Sequence, residues 1–331
     1  MTRILSYNIL VGGTRRIDFI EQMIRMAEPD VVGLVEAHNV HVVQELARRL
    51  GMEYRTNASP DGSWRTSIAL LSRLPIISSA IHSADKAISR PLLEVGLEDE
   101  SSEQLTVFVN HLVAEFSKGR GGDGLRQKEV RAILEVLRAH HEPHILMGDF
   151  NALAPGDQLK VSRLLGYLVE VDQRYKKMGH GHELVHNGNP SLDYVIPPPL
   201  RFLRSLLKLI PRSRALSALC NEAGALYVPR TSIGLLKAAG YVDCFRYQNP
   251  RAWGFTCPAA NPAGRIDYFF ANPLLAARLQ VCKVVEGNDE VSARDASDHL
   301  PIVAEFGVSV EALVRPYIGG LIQASGRQVP D

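Results

Sequence analysis

The sequence predicts an α/β protein in which two β-sheets pack face to face and helices cover the outer faces. Residues 4–50 alternate short apolar runs with segments whose apolar residues recur at helical spacing, which indicates the order strand, helix, strand, helix. Residues 66–109 then carry three apolar runs with turn-rich connections, which are typical of successive strands. Two groups of strands in one chain, each interleaved with helices, favour two packed sheets.

The individual elements follow from the same patterns. The predicted strands are residues 4–10, 31–35, 67–71, 92–97, 105–109, 144–147, 241–245, 266–270, 281–285 and 301–306. Helical spacing predicts helices over 17–27, 40–50 and 130–137, and a short helix over 159–165. Ser117–Gly124 is predicted to be a loop that packs no core. We expect one domain over residues 1–310, with an insertion at about 172–240 and a C-terminal tail over 311–331.

The composition is that of a soluble globular protein. The 331 residues are 46% hydrophobic and 22% charged, which is enough to bury a substantial core. A formal net charge of +1 gives no whole-molecule field toward nucleic acid or anionic lipid, so any such attraction must come from local patches.

The cysteines and the amino-terminal residues indicate the cellular compartment in which we expect the protein. The four cysteines contain no C-x-x-C pair, so we expect reduced thiols and no zinc site. No signal-peptide pattern is present, and no apolar stretch approaches the roughly 20 residues that span a bilayer. The expected location is the cytoplasm.

The stretch His144–Asn151 is the first candidate for chemistry. A buried apolar run ends in Gly148 and is followed by Asp149 and Asn151, which should project from the same face while Phe150 points away. Strand ends of this kind commonly carry the chemistry of sheet enzymes. The alternative interpretation is an ordinary turn, because Gly-Asp-x-Asn is also loop chemistry.

Further polar side chains stand at strand ends or interrupt a strand. They are Asn8, Glu36, His111, Asp267, Asp298 and His299. Asp267 interrupts an aromatic strand, where an ionised acid needs a partner such as an imidazolium. Each residue also has a structural interpretation, as a satisfied core polar group, a helix-start acid or part of a loop. Together, oxygen ligands, an amide and two imidazoles are the parts that a magnesium-dependent phosphoryl hydrolase needs.

Six motifs give this set a family resemblance. They are Ser6-Tyr7-Asn8, Val35-Glu36, Asn110-His111-Leu112, Met147-Gly148-Asp149-Phe150-Asn151, Arg265-Ile266-Asp267-Tyr268 and Ser297-Asp298-His299. In this order they resemble the motifs of the endonuclease/exonuclease/phosphatase superfamily, which has the deoxyribonuclease I-like fold. The resemblance implies a four-layered α/β sandwich of two mixed sheets. It also implies a Mg²⁺ site, with Mn²⁺ as an alternative, held by Glu36 with Asn8 and Asp298 nearby.

The resemblance implies catalytic roles as well. His299, oriented by Asp267, would act as general base on the attacking water. Asp149 and Asn151 would align the nucleophile and bind the phosphoryl group, and His111 would steady the charge on its oxygens. Asp149 and His299 remain alternatives for the group that takes the proton.

Two other features compete with these assignments. Ser191-Leu192-Asp193-Tyr194 repeats the Asp-Tyr pattern, but three prolines follow and exclude a central strand, so Asp267 is the better candidate. His180, His182 and His186 lie in a Gly-rich stretch, where solvated histidines are the expected interpretation and a metal site the alternative.

The predicted insertion carries a basic amphipathic segment, residues 200–214. The segment has five cations, of which three join two from the earlier loop in the predicted substrate-binding set: Lys118, Arg120, Arg201, Arg204 and Lys208. The segment is either a lid helix with solvated arginines or an element that meets lipid headgroups or nucleic-acid phosphates. Aromatic residues make up 7% and do not cluster, so a phospholipid-type headgroup is slightly favoured.

The sequence therefore predicts a hydrolase of phosphoric ester bonds, and a phosphodiesterase first. The alternatives are a nuclease acting on DNA or RNA and a phosphomonoesterase acting on nucleotides or inositol phosphates. A catalytically dead binding module is disfavoured because all the matched positions are intact. The oligomeric state is left open.

Overall fold

Twelve strands form two mixed six-stranded sheets in the computed structural model, which describes residues 1–59, 66–82, 89–99, 102–118, 120–178 and 202–308. The first sheet, sheet A, has the strand order β11-β12-β1-β2-β4-β3. Its strands are β1 (Thr2–Asn8), β2 (Val31–Val35), β3 (Glu53–Thr56), β4 (Ile68–Ser72), β11 (Leu279–Val284) and β12 (Ile302–Phe306). β1 pairs with β2 in parallel and with β12 antiparallel.

The second sheet, sheet B, has the order β5-β6-β7-β8-β10-β9. Its strands are β5 (Ile76–His82), β6 (Leu92–Glu98), β7 (Gln104–His111), β8 (His144–Asp149), β9 (Val242–Asp243) and β10 (Asp267–Ala271). β8 lies between β7, its parallel neighbour, and β10, its antiparallel neighbour.

Helices of varied length connect the strands. They are α1 (Ile17–Ala27), α2 (Val40–Leu50), α3 (Arg120–Leu137), α4 (Val161–Met178), α5 (Arg204–Leu207), α6 (Arg214–Tyr227), α7 (Thr231–Ala238), α8 (Cys244–Gln248), α9 (Pro273–Ala276) and α10 (Ala293–Ala296). α2 shows how local chemistry sets the bounds. Asn39 caps its start by accepting a hydrogen bond from the His41 N–H at 3.0 Å, and Gly51 ends it in the left-handed region.

Three apolar layers make this a four-layered α/β sandwich, as predicted. The central layer lies between the sheets and includes Ile4, Val109 and Met147. A second layer packs α1 and α2 on the outside of sheet A, and a third packs α3 and α7 on the outside of sheet B. Because strand side chains alternate between faces, the same strands supply both an inner and an outer layer.

Several predicted elements differ from the observed ones. Residues 241–245 form the short β9 followed by α8, because Asp243 accepts a hydrogen bond from the Arg246 N–H at 3.1 Å and starts a helix. The predicted loop 117–124 is largely the first turn of α3, where Asp123 is buried and accepts a hydrogen bond from the Ser232 hydroxyl at 2.9 Å. The predicted short helix 159–165 is the long α4, which begins at Val161.

The basic segment 200–214 is not one continuous helix in its described part. It consists of α5 and a 3₁₀ turn over Ile210–Arg212, followed by α6. Pro211 restricts the backbone and leads into the cap at Ser213, whose hydroxyl accepts a hydrogen bond from the Leu216 N–H at 3.3 Å. The tail 311–331 lies outside the described residues. No described helix is long and apolar enough to cross a membrane.

Candidate active site

Polar side chains close the central apolar layer at one end of the sandwich. In sheet B, Val109, Met147 and Phe269 face sheet A. Two residues further along β7 and β8, and two before Phe269 in β10, the alternation puts His111, Asp149 and Asp267 on the same inner face. The inner-face positions of these strands are apolar in the core and change to acids and an imidazole at the strand ends. The result is a polar cluster that adjoins the apolar core.

Strand register brings the sheet B residues into one row. Asp149 pairs with His111 across the parallel β7–β8 ladder and with Asp267 across the antiparallel β8–β10 ladder. His111 Nε2 lies 3.7 Å from Asp149 Oδ2. All three side chains are at most 6% exposed, so their charges interact with little screening by water.

Asn8 connects this row to sheet A. Its Nδ2 donates to Asp149 Oδ2 at 3.1 Å and to Glu36 Oε1 at 3.3 Å. Its Oδ1 accepts the Leu10 N–H at 3.0 Å, which fixes the orientation of the amide. The ends of β1 and β8 are thus joined by one amide that lies between two carboxylates.

A histidine and an aspartate form the next pair. His299 Nδ1 lies 2.9 Å from Asp267 Oδ2, and its Nε2 lies 3.8 Å from Asp149 Oδ2. The sequence places these residues far apart, but the turn before β12 returns His299 to the start of β10. Ser297 fixes that turn, because its hydroxyl donates to the Asn8 carbonyl at 2.6 Å and accepts the His299 N–H at 3.2 Å.

Burial and neighbouring charges shift the pKa of Asp149 upward. Burial is the largest cause and raises the pKa to about 7, and the acids Asp267 and Glu36 raise it as well. The positive charge of His299 and the hydrogen bond from the Asn151 N–H act in the opposite direction. Asp149 can therefore change protonation state near neutral pH.

The two histidines shift in opposite directions. Burial lowers the pKa of His111 well below its ordinary value, and the charges of Arg90 and His299 lower it further, so His111 is neutral. Burial also acts to lower the pKa of His299, but Asp267, Cys257 and Asp149 outweigh it and raise that pKa well above the ordinary value. His299 is therefore an imidazolium between two carboxylates.

The backbone around Asp149 is held in an unusual shape. Gly148 has φ 138°, and a Cβ at this position would lie 2.0 Å from the Asn110 carbonyl oxygen, so only glycine fits. Asn151 has φ 47°, and its N–H donates to Asp149 Oδ1 at 2.8 Å. Its side-chain Nδ2 donates to the Leu112 carbonyl at 2.9 Å. The turn after β8 therefore orients the Asp149 carboxylate.

A buried network of ion pairs holds the chain that follows Asn151. Arg265 is 1% exposed and makes paired contacts with Asp157 at 2.9 and 3.1 Å and with Asp243 at 2.7 and 2.6 Å. The Tyr268 hydroxyl accepts the Ala154 N–H at 2.8 Å and lies 3.2 Å from Asp157 Oδ2. The network ties the chain after Asn151 to the start of β10, where Asp267 lies.

Comparison with protein families decides which group of proteins these observations describe. The model of the endonuclease/exonuclease/phosphatase family matches residues 5–299, a range that contains the whole cluster. The chain belongs to the endonuclease/exonuclease/phosphatase family. It is a hydrolase that acts on phosphoester bonds, and its family is generally dependent on divalent metals. Comparison with curated protein sequences gives no match.

Solved structures show the same fold for this family member. An AP endonuclease from Archaeoglobus fulgidus is 15% identical with a TM-score of 0.61, over 93% of this chain and 100% of that one. The 3′ phosphatase NExo from Neisseria, bound to product DNA hairpin, is 13% identical with a TM-score of 0.60, over 93% and 100% of the two chains. A humanized TDP2 from D. rerio is 17% identical with a TM-score of 0.54, over 93% and 99%.

The three predicted metal residues differ in how well they could ligate a cation. Glu36 adopts φ 58°, a strained conformation, and its Oε2 accepts the Val11 N–H at 2.8 Å. Its partly exposed carboxylate at the edge of the cluster is the kind of oxygen ligand that Mg²⁺ takes. Asn8 presents its NH₂ group to the carboxylates, and this group cannot ligate a metal. Asp298 lies in the same turn as His299 and interacts electrostatically with Arg16, as Glu36 does.

A second group of possible metal ligands is already paired internally. Asp149, Asp267 and His299 have ligand atoms within 4.8 Å of one another. A metal at their centre would replace the hydrogen bond between His299 and Asp267, whereas a metal beside Glu36 leaves it in place. The donor set therefore fits a divalent cation at the Glu36 side of the cluster.

Two of the five predicted substrate-binding cations, Lys118 and Lys208, have described side chains. Lys118 lies 3.1 Å from Glu115, and Lys208 lies 3.0 Å from Asp172, so both cations are paired. Outside the described residues lie Arg201, the side chains of Arg120 and Arg204, the alternative Asp193 and the three histidines His180, His182 and His186.

Sequence reasoning missed two residues that shape the site, Arg16 and Thr256. The buried Arg16 guanidinium donates to the carbonyls of Ile9, Leu10 and Ala296 and so holds the chain after β1 beside the turn before β12. The Thr256 hydroxyl accepts the Asp267 N–H at 3.3 Å. No motif marks either residue. The one available signal is that both lie in loops next to a strand that carries a predicted site residue.

Proposed function

We propose that the protein is a divalent-metal-dependent phosphodiesterase in which Asp149 accepts the proton of the attacking water. One observation carries this proposal. Asp149 Oδ2 lies between nitrogens of Asn8, His111 and His299, at 3.1, 3.7 and 3.8 Å, where both sheets end. A carboxylate with its pKa near neutral, inside a ring of potential hydrogen-bond donors, suits a general base.

The choice between Asp149 and His299 as proton acceptor follows from their charges. We expected His299, oriented by Asp267, to be the base. A histidine whose pKa is raised well above its ordinary value carries its proton at neutral pH and cannot accept another. Asp149, with its pKa raised to about 7, has a substantial ionised fraction there. The proposal therefore moves the base from His299 to Asp149.

The two histidines then stabilise charge in different ways. The His299 imidazolium, held by Asp267, faces the negative charge that develops on the phosphoryl oxygens. Neutral His111 offers one N–H and no charge, so it contributes a hydrogen bond. Asn151 acts on the orientation of Asp149 through its N–H. In the overall reaction a water oxygen bonds to phosphorus, the bond to the leaving oxygen breaks, and Asp149 takes one water proton.

Glu36 would hold the divalent metal, with Asp298, which like Glu36 interacts electrostatically with Arg16, as the second acid. When bound, the metal neutralises phosphoryl charge and helps to orient the substrate. We propose Mg²⁺, since the donors are oxygens, and Mn²⁺ as the alternative. Asn8 serves as a positioning residue that holds the Glu36 and Asp149 carboxylates at a fixed separation.

The acids of the site favour a diester over a monoester. Asp149, Asp267 and Glu36 repel a substrate in proportion to its negative charge, and a phosphodiester carries one charge where a monoester carries up to two. A phospholipid-type headgroup, slightly favoured from the sequence, loses part of its support because Lys208 is paired with Asp172. We therefore propose a phosphodiester without assigning the alcohol.

Assays on purified protein test this function. Bis-para-nitrophenyl phosphate, para-nitrophenyl phosphate, plasmid DNA and sphingomyelin vesicles are each incubated with Mg²⁺, with Mn²⁺ and with EDTA. We expect metal-dependent release of nitrophenol from the diester at a higher rate than from the monoester. Absence of hydrolysis of every substrate with either metal would overturn the proposal.

A further inference from the structure

The insertion exposes a cluster of large apolar side chains that the active site does not use. Five of them lie within residues 202–219: Phe202, Leu206, Leu209, Leu216 and Leu219. Phe202 is 80% exposed and Leu219 is 67% exposed. We call these five residues the apolar patch. A group of this size on a protein surface marks an interaction site more often than chance exposure.

The segment that carries the apolar patch also has a separate apolar face that packs inward. Ile210 is buried against Leu165 and Leu168 of α4, and Leu207 and Cys220 pack on that cluster. The ammonium of Lys208, the residue after α5, lies 3.0 Å from Asp172 of α4 and so holds the end of α5 against α4. The segment therefore has a satisfied inner face and a second, outward apolar face.

The two halves of the patch adjoin each other. Phe202 precedes α5, Leu206 lies on it, and Leu209 follows it in a turn where the Leu209 N–H donates to the Leu206 carbonyl at 3.0 Å. Leu216 and Leu219 are one turn apart on α6. The Ser217 hydroxyl donates to the Ile210 carbonyl at 2.8 Å, which holds α6 against the 3₁₀ turn. The leucines before and after that turn thus belong to one element of the surface.

The charge of this segment identifies the kind of partner. Residues 194–221 contain no acidic residue and five cations, Arg201, Arg204, Lys208, Arg212 and Arg214. Arg212 and Arg214 are exposed, and within the described ranges no carboxylate pairs with either. The whole chain has a net charge of only +1, so these five cations are a local concentration of positive charge in the segment that carries the exposed leucines.

We propose that the apolar patch, with Arg212 and Arg214 at its rim, docks the protein on an anionic lipid bilayer. Leucine and phenylalanine side chains enter the boundary between headgroups and acyl chains, and arginines next to them attract anionic headgroups. Phe202 is the one patch residue with a flat face for stacking a base, and the other four are leucines, which disfavours single-stranded nucleic acid. A second copy of this chain would bring the same arginines together, and their repulsion disfavours a symmetric dimer through this surface.

Vesicle sedimentation tests this proposal. The full chain is mixed with vesicles of phosphatidylcholine alone or of equal parts phosphatidylcholine and phosphatidylglycerol. We expect binding to the anionic vesicles, weaker binding to the neutral ones, and a further decrease when salt is added. The apolar variants Leu219→Ser and Phe202→Ser and the charge variant Arg212→Glu with Arg214→Glu should each bind the anionic vesicles at least about tenfold more weakly.

Matched controls separate this surface from general stickiness and from catalysis. Leu274→Ser removes a leucine that is 53% exposed on α9, and Arg48→Glu reverses an exposed charge on α2. Both should bind vesicles like wild type. Hydrolysis of bis-para-nitrophenyl phosphate should be unchanged in every surface variant, so a failure here and a failure of the proposed catalytic function are distinguishable.

Three results would overturn the docking proposal. The first is no binding of the wild type to either kind of vesicle. The second is equal loss of binding in the patch variants and the control variants. The third is self-association of the wild type in sedimentation velocity that Leu219→Ser abolishes, which would assign the patch to a second copy.

Discussion

Asp149 is a buried acid whose position costs stability and serves chemistry. Burial beside Asp267 and Glu36 raises its pKa to about 7, so the folded protein binds the Asp149 proton more tightly than the unfolded chain does. The stabilising effect of that proton is complete below the unfolded pKa of about 4 and is lost as the pH rises through about 7. At higher pH the folded state holds a buried charge.

Substitution Asp149→Asn should therefore change the pH dependence of stability. The amide does not ionise, so we expect the Tm of the variant minus that of wild type to increase between pH 5 and pH 8, by an amount equivalent to about 3 kcal/mol. Thermal unfolding in EDTA measures this difference. Asp289→Asn, at an exposed site, is the control and should show none of it. A Tm difference that is constant with pH would contradict the assigned environment of Asp149.

Several site residues were predictable because their signal is local. His111 and Asp149 end apolar strand runs and Asp267 begins one, and alternation places each on the inner face. The hydrogen-bond partners and charges of these side chains were harder to predict from the sequence. The orientation of the Asn8 amide depends on the Leu10 N–H. The positive charge of His299 depends on Asp267, Cys257 and Asp149, which raise its pKa against the effect of burial. Both are tertiary effects that a strand pattern does not encode.

At the scale of elements, Arg265 ties the start of β10 to β9 and to the chain after β8. The guanidinium lies at the start of β10 and neutralises Asp157 and Asp243 from two other segments. Removal of one partner of a buried ion group leaves uncompensated charges, which costs more than the group contributes when intact.

We expect Arg265→Met to lower the free energy of unfolding by about 3–5 kcal/mol, because two buried carboxylates would lose their main partner. Urea unfolding followed by circular dichroism measures the change. Arg48→Met breaks an exposed pair with Glu45 on α2 and should cost less than about 1 kcal/mol. Equal losses in the two variants would show that the network does not support the turn.

Element boundaries show where sequence patterns fail. Strands buried on both faces were placed within one or two residues, because continuous apolar runs mark them. The segments 117–124 and 241–245 were misassigned, because Asp123 is buried against Ser232 of α7, and the Asp243 carboxylate that caps α8 is held by Arg265 from another segment. The basic segment was predicted to be amphipathic at helical spacing, and its described part consists of α5, a 3₁₀ turn and α6.

At the scale of the whole molecule, the site exists only where the two sheets meet. Sheet A supplies Asn8 and the loop with Glu36, and sheet B supplies His111, Asp149 and Asp267. The family match over residues 5–299 covers both sheets. We propose that residues 1–310 act as one catalytic domain with an insertion at about 172–240, of which the described part carries the apolar patch.

A divalent metal at Glu36 should stabilise the whole fold. A ligand that binds only the native state adds about 2.7 kcal/mol at a concentration of a hundred times its Kd. We expect Mg²⁺ to raise the Tm of wild type and to have much less effect on Glu36→Gln. Glu290→Gln, at an exposed site, should respond like wild type. An equal Mg²⁺ response in Glu36→Gln would place the metal elsewhere.

The pH dependence of bis-para-nitrophenyl phosphate hydrolysis tests the central claim, that Asp149 is the proton acceptor. With Mg²⁺ present, wild-type kcat should fall as the pH decreases through the Asp149 pKa. Asp149→Asn should lower kcat at least about a hundredfold and remove this acid limb. His299→Gln should also lower kcat, but it should retain the limb at a higher pH, because the His299 charge lowers the Asp149 pKa. An acid limb that persists in Asp149→Asn and disappears in His299→Gln would contradict the claim and assign the proton to His299.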